Sequence, residues 1–287
     1  MECTTNQGFQ SLIAKENISN EFLFYLVQTK RKDLIRKSCG STFLEISANE
    51  VRKIKITIPT HKEQEKIGKL LVLLDERIAT QNKIIEDLKK LKSAIIEKHY
   101  RQAEKQTVCI ADLGEHFSVG NLAKDDLSET GTPCILYGEL FTTYGETISQ
   151  IESRTNKTGG MVLSKKGDLL FPSSTTVDAV SLIAPSVINI DNVVLGGDMF
   201  GIHINFNFDA QYLSYFFNHI AKRRLAKYAK GSTIIHLHYA DIEKAKLLLP
   251  CLKEQHRMAK CLVSLDDKIN PNRSLGFLCV VRQREIL

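Results

Sequence analysis

The sequence predicts an α+β fold in which mixed α/β globular units are linked by long α-helices that pack as an antiparallel coiled coil. Three observations predict it: a duplicated segment, a long stretch carrying the coiled-coil repeat, and a block of short strand-like runs between the two copies.

The duplication comes first, because a missed repeat miscalls a fold. PTHKEQEKIGKLLVLLDERI (Pro59 to Ile78) returns as PCLKEQHRMAKCLVSLDDKI (Pro250 to Ile269), an offset of 250 − 59 = 191 with 10 of 20 positions identical. Five further positions are conservative, among them Lys66 with Arg257 and Glu76 with Asp267. The same offset sets Gly40-Ser41-Thr42 on Gly231-Ser232-Thr233, Phe9 on Phe200, and FLFYL (Phe22 to Leu26) on LSYFF (Leu213 to Phe217). Residues 106–193 have no counterpart ahead of Met1, so the first copy is expected to be incomplete by about 88 residues (193 − 106 + 1).

A helix is expected from Lys62 to about Tyr100, where no Gly or Pro falls between Lys69 and Tyr100. Its seam is Ile67, Leu71, Leu74, Ile78, Ile85, Leu88 and Ile95, spaced mostly by three and four residues with Gln81 as a polar interruption. About forty helical residues reach ~60 Å at 1.5 Å each. Such a stripe cannot bury itself in one small domain, so it requires a partner helix. The second copy supplies one up to Ile269; Pro271 then breaks the pattern, and SLGFLCVVRQREIL resumes a shorter, less regular helix.

Between the helices the periodicity changes. The runs CILYGEL, GDLLFPSS, VSLIAPSVINI and GIHINF alternate with Gly, Asp, Asn and Pro turns, as short strands do. Helices are expected at about 209–229, and IIHLHYADIEKAKLLLP closes the block with a strand.

Composition excludes several classes. The 43% hydrophobic and 25% charged content is that of a globular protein. No run reaches the ~18 apolar residues of a membrane span, and MECTTNQGFQ has neither the basic start nor the apolar run of a secretory signal. Seven scattered cysteines without a C-x-x-C pair read as free thiols rather than a zinc site. A cytoplasmic protein with no membrane partner is expected. The net charge of +6 is uneven: 20 Lys+Arg against 14 Asp+Glu in residues 1–106, 12 against 15 in 107–250, and 7 against 4 in 251–287. Nucleic-acid binding would therefore run through local patches.

One such patch is Lys222-Arg223-Arg224 with Lys227 and Lys230, five cations without an acid in about ten residues. Lys30-Arg31-Lys32 with Arg36 and Lys37 is its counterpart before the first Gly-Ser-Thr. A basic helix is ordinarily a solvated face; its recurrence makes these residues candidate phosphate contacts. Ser232 and Thr233, with Ser41 and Thr42, follow the patches, and their hydroxyls suit phosphate or base edges, although a helix C-cap would use the glycine equally well. The stretch Ser173-Ser174-Thr175 after an apolar strand, preceded by Lys165-Lys166, is either a groove-reading loop or a plain surface turn. His236 and His238 lack a third ligand nearby, so no metal site is expected. No P-loop, G-x-G-x-x-G, H-E-x-x-H, G-x-S-x-G or N-P-P-[YF] signature occurs, and no catalytic residue is assigned.

G-S-T, a strand ending I-P or L-P, P-x-x-K-E-Q and a helix with L-D-[ED]-[RK]-I together resemble the specificity subunits of type I restriction–modification enzymes. The resemblance covers essentially the whole chain, with Glu63-Gln64 and Glu254-Gln255 at its centre. It implies that residues 1–60 are the end of a first target-recognition domain, 61–105 a conserved spacer helix, 106–250 a second target-recognition domain, and 251–287 a shortened second helix. It further implies a non-catalytic subunit that reads double-stranded DNA in the major groove. Methyltransferase subunits and a restriction–translocase subunit would be its partners, with a homodimer through the long helices as a further expectation. S-adenosylmethionine, ATP and Mg belong to those partners, and no cofactor to this chain. The alternative reading is a silent specificity-gene fragment acting only as a coiled-coil interaction protein.

Overall fold

The computed structural model describes residues 10–40 and 44–270. They form two units, the first ending at Asp87 and the second beginning at Leu88. The first unit is helical. Helix α1 (Asn20–Thr29) is capped by Ser19, whose hydroxyl accepts from the Phe22 amide. Helices α2 (Arg31–Lys37) and α3 (Ala48–Arg52) follow, the latter capped by Ser47. Then comes the opening part of α4 (His61–Gln102). At its start Glu63 accepts from the Thr60 amide at 3.0 Å, one half of a capping box. Helix α1 crosses α4 at Gly68, where a Cβ would stand 2.9 Å from the Phe22 amide nitrogen.

The second unit carries the strands, and among them the helices α5 (Glu139–Thr142), α6 (Ala179–Leu182), α7 (Ala210–Phe216), α8 (Lys222–Leu225) and α9 (Tyr239–Ile242). In chain order the strands are β1 (Gln106–Cys109), β2 (Gly114–Ser118), β3 (Leu127–Ser128), β4 (Thr132–Leu136), β5 (Thr147–Ile148), β6 (Ser153–Thr155), β7 (Val162–Leu163) and β8 (Asp168–Pro172). After these run β9 (Ser174–Thr175), β10 (Ser186–Ile188), β11 (Val194–Gly196), β12 (Met199–Ile204), β13 (Ile235–His236) and β14 (Lys246–Leu249). One five-stranded sheet has the order β2-β12-β8-β10-β5 and another β3-β6-β4-β11-β7. Each is mixed: β10 pairs β5 and β11 pairs β4 in parallel, and the other pairings are antiparallel. Two-stranded antiparallel pairs join β1 with β14 and β13 with β9.

Strand β8 shows how the core is divided. Side chains alternate across a strand, and Leu169 and Phe171 enter one apolar cluster while Leu170 enters another. The larger cluster lies against α7 (Ala210–Phe216), the end of α4 and the closing helix α10 (Leu252–Ile269), through Tyr215, Ile96, Met258 and Leu262. There the two long helices run antiparallel, since Lys92 meets Asp266 and His99 meets Glu254.

Two local expectations change. The run beginning Val180-Ser181-Leu182 is a helical turn, because the Asp178 carboxylate accepts from the Val180 and Ser181 amides and caps it; the strand begins only at Ser186. The seam of α4 is buried at one end only: Ile95 is half-buried beside the fully covered Ile96, whereas Ile67, Leu74 and Ile78 are 40–47% exposed. Leu71, Ile85 and Leu88 are half-buried. The expected continuation over 271–287 lies outside the described residues.

Candidate nucleic-acid interface

The basic stretch after α7 is not a simple helix. A π-helical turn (Phe217–Ala221) follows α7, then one α-turn (Lys222–Leu225) and a 3-10 turn (Ala226–Tyr228). Widening the helix by a residue re-aims the turns after it. Phe217, Ala221 and Leu225 stay in the core, while Arg223, Arg224 and Lys227 face solvent and Lys222 is half-buried. Among the described residues no carboxylate pairs with Arg223, Arg224 or Lys227. Lys230 is ion-paired with Asp241 and is not a free cation.

Gly231 does not cap that helix, which ends at Tyr228. It turns a hairpin in which Lys230 and His236 exchange both backbone hydrogen bonds, at 2.9 and 2.7 Å. Its φ is +115°, and a Cβ would stand 2.0 Å from the Ile234 carbonyl oxygen, so glycine is required. Ser232 and Thr233 are thereby exposed at the tip. The first unit repeats this hairpin: Cys39 and Glu45 exchange the equivalent bonds, both 2.8 Å, and Gly40 has φ +129°. Ser41 and Thr42 lie outside the described residues.

Beside the hairpin is an open cleft of about 720 Å³. Ser174, Thr175, Asp198, Asn218, Lys222 and His236 line it, with the aromatic rings of Tyr137 and Tyr144. Burial pushes the Tyr144 hydroxyl up to about 12, and that hydroxyl accepts from the Glu152 amide at 3.2 Å. The stretch 173–175 is part of a strand pair rather than a free loop or turn: Ser174 and Thr175 form β9 against β13, and Ser173 and Ser174 are buried. The Ser173 amide donates to the Asp198 carbonyl at 2.7 Å, and the Ser174 hydroxyl to the Asp198 carboxylate at 2.8 Å. That leaves Asp198 as an exposed acceptor at the cleft, held by two serines. The Gly196-Gly197-Asp198 turn is the sequence signal that marks it. Ser173 itself opens on a neighbouring hollow where His116 stacks on Tyr239 at 4.1 Å. His238 reaches that second hollow while His236 lines the cleft, their rings 6.1 Å apart. No group of three or more His, Cys, Asp or Glu side chains suited to a metal occurs among the described residues.

Lys165 and Lys166 do not join this assembly. They are exposed in the turn before β8, whereas Ser173 follows that strand, which puts them roughly 17 Å of strand away. In the first unit Arg31, Lys32 and Arg36 are exposed on α2, with Arg36 3.5 Å from Asp33, and Lys30 is half-buried at its start.

Beneath the cleft lies a network that sequence reasoning misses. Glu146, which lines the cleft, accepts from Lys92 and from His219, both at 2.9 Å. Lys92 also meets Asp266 at 2.7 Å, and the Tyr215 hydroxyl donates to Asp266 at 2.5 Å. Burial pulls the Glu146 carboxyl upward, yet His219 and Lys92 outweigh it and hold the group at about 2. Burial, and next the Asp266 charge, drives the Tyr215 hydroxyl well above its usual range. The signal was in the heptad: between Leu88 and Ile95 the seam position is Lys92, a cation where an apolar side chain is due.

The duplicated Glu-Gln has a structural role. Gln255, 1% exposed, donates to the Pro250 carbonyl at 2.8 Å and accepts from the Asp209 amide at 3.0 Å. Gln64, also 1% exposed, donates to the Pro59 carbonyl at 2.9 Å and accepts from the Ser19 amide at 3.2 Å. Asp209 and Ser19 are the caps of α7 and α1, so each glutamine ties a strand end, a cap and a long helix together.

A family model for the type I restriction modification DNA specificity domain matches residues 1–90 and 102–274. The MjaIX type I restriction enzyme specificity subunit of Methanocaldococcus jannaschii is 38% identical over 90 residues, 31% of this chain and 21% of that protein. The MjaVIII specificity subunit of the same organism is 26% identical over 278 residues, 88% of this chain and 64% of that protein. The chain thus spans less than two thirds of the length of these curated relatives. The S subunit of a type I restriction–modification system from M. genitalium has a similar fold, with TM-score 0.65, 17% identity, and 93% of this chain and 71% of that one covered.

Proposed function

We propose, for a chain that belongs to the type I restriction modification DNA specificity domain family, that it is a non-catalytic subunit whose second unit reads DNA sequence for partner enzymes. The observation that carries this is a cleft in that unit lined by Lys222, Asp198, Asn218 and His236, groups suited to phosphates and base edges. Arg223, Arg224 and Lys227 are exposed in the turns that follow Lys222, and the chain then enters the hairpin whose tip exposes Ser232 and Thr233. The cations would fix the duplex by its phosphates. Carboxylate, amide and imidazole groups are the kinds that discriminate base edges in the major groove. The long helices would set the distance between two reading sites and dock methyltransferase subunits, which bring S-adenosylmethionine, and a restriction–translocase subunit, which brings ATP and Mg. Such work belongs in the cytoplasm, and no helix among the described residues is long and apolar enough to cross a membrane.

The test is the adenine-methylation pattern of DNA from cells co-expressing this chain with its cognate methyltransferase subunit. A discrete methylated motif that changes with Asp198→Asn or His236→Ala supports the reading. An absence of methylation, with a full-length specificity subunit working in parallel, would favour the silent-fragment alternative.

A further inference from the structure

Several groups at the cleft have already spent their donors, which leaves acceptors free. Asn218 gives its amide N–H groups to two carbonyl oxygens, Pro185 at 2.7 Å and Ser214 at 2.9 Å. Those bonds fix which way the amide points and leave its oxygen as the free end. The Ser174 hydroxyl gives its one proton to the Asp198 carboxylate at 2.8 Å. Ser181 gives its own to Asp178 at 2.6 Å, and Glu146 is taken up by Lys92 and His219. Asp198 is exposed, and among the described residues no donor pairs with its second oxygen.

A free carboxylate oxygen beside a spent hydroxyl distinguishes the four bases. In the major groove guanine shows N7 and O6, and thymine O4, all acceptors that repel a carboxylate. Adenine sets its N6 donor next to N7, an acceptor, whereas cytosine shows its N4 amino group alone. Adenine N7 would bring a lone pair to Asp198 and Ser174, where the hydroxyl has no proton left for it. His236 lies directly across the β9–β13 pair from Ser174, and facing side chains share one side of such a ribbon. An imidazole N–H suits guanine O6, which lies beside the cytosine amino group in the same base pair. Lys222 lines the same cleft and brings the positive charge that admits a carboxylate to a polyanion.

We infer, resting on the DNA-reading role proposed above, that Asp198 fixes a cytosine, and with it a G·C pair, in the sequence this chain selects. Randomised duplexes are selected by binding to the full chain and sequenced, with the unaltered protein and with Asp198→Ala and Asp198→Asn. The expected motif contains one cytosine whose preference alone disappears with Asp198→Ala. With Asp198→Asn the preference should move to adenine, since an amide pairs N6 and N7 together. Survival of the other positions shows that the variants fold. A motif in which both variants leave every cytosine in place overturns the inference and leaves the DNA-reading role standing. DNA bound without any preferred motif, or not bound, overturns both. On a duplex carrying the selected motif, replacing that cytosine by pyrimidin-2-one, which lacks the amino group, should weaken binding by the unaltered chain roughly tenfold. Unchanged affinity for that duplex overturns the inference whatever the variants do.

Discussion

Lys92 and Asp266, 174 residues apart, meet at 2.7 Å with each side chain only 8% exposed. One sits on the long helix that enters the second unit and the other on the helix that leaves it, and Glu146 and Tyr215 close the group from the domain between them. Two carboxylates thus share one buried cation, and its removal leaves both undercompensated.

Lys92→Met is accordingly expected to destabilise the second unit by about 3–5 kcal/mol, the usual consequence of orphaning a buried charge. Lys92→Met combined with Asp266→Asn should cost less than Lys92→Met alone, because one of the orphans is gone. Urea denaturation of the three proteins checks both statements, and a double variant weaker than the single one would contradict them.

The same group makes stability depend on acid. The folded-state carboxyl of Glu146 lies at about 2, below its ordinary 4.5. A depressed acid contributes stability in full above its unfolded value, and loses it as pH falls through the folded value. Unfolding free energy should therefore drop between about pH 5 and pH 2, by roughly 3 kcal/mol from this group. Glu146→Gln should flatten that part of the profile, measured by denaturation at stepped pH.

Truncation of the buried glutamine clamp gives a third expectation. Gln255→Ala leaves the Asp209 amide and the Pro250 carbonyl without partners, for about 1–3 kcal/mol each. Gln255→Glu should be no better, because it trades the donor for a buried negative charge. Thermal unfolding of the two variants is the check.

On DNA, cations and readers should separate. Replacing Arg223, Arg224 and Lys227 together by Ala should weaken binding to all sequences alike and reduce the slope of log K against log salt by roughly 2–3, about 0.9 for each phosphate no longer neutralised. Asp198→Asn should leave that slope unchanged and alter which sequence is preferred. Fluorescence anisotropy across a salt series distinguishes the two.

The parts of this molecule that were legible in its sequence are those governed by periodicity and repetition. The long helix was bounded by its seam and lack of breakers to within a few residues of His61–Gln102. The strand block and the closing strand Lys246–Leu249 followed from turn residues and alternation. The site was less legible, because its geometry depends on partners distant in sequence. Nothing near Lys230 in sequence announces that Asp241 neutralises it, and Ser173 and Ser174 look like a polar loop until β13 and Asp198 are placed beside them. The π-helical turn at Phe217–Ala221, which aims Arg223 and Arg224 outward, leaves no trace in a hydrophobic pattern read at 3.6 residues per turn.

The repeated glutamine clamp bears on how such a protein diversifies. Each clamp closes the joint between a folded unit and the helix that follows it, using only two main-chain groups as partners: the Pro59 carbonyl and Ser19 amide in one copy, the Pro250 carbonyl and Asp209 amide in the other. Main-chain groups are common to every sequence, so a genetic crossover near Pro59 or Pro250 preserves these bonds whatever side chains it brings in. The joint is an interchangeable coupling: the head it holds can differ while the mount stays the same.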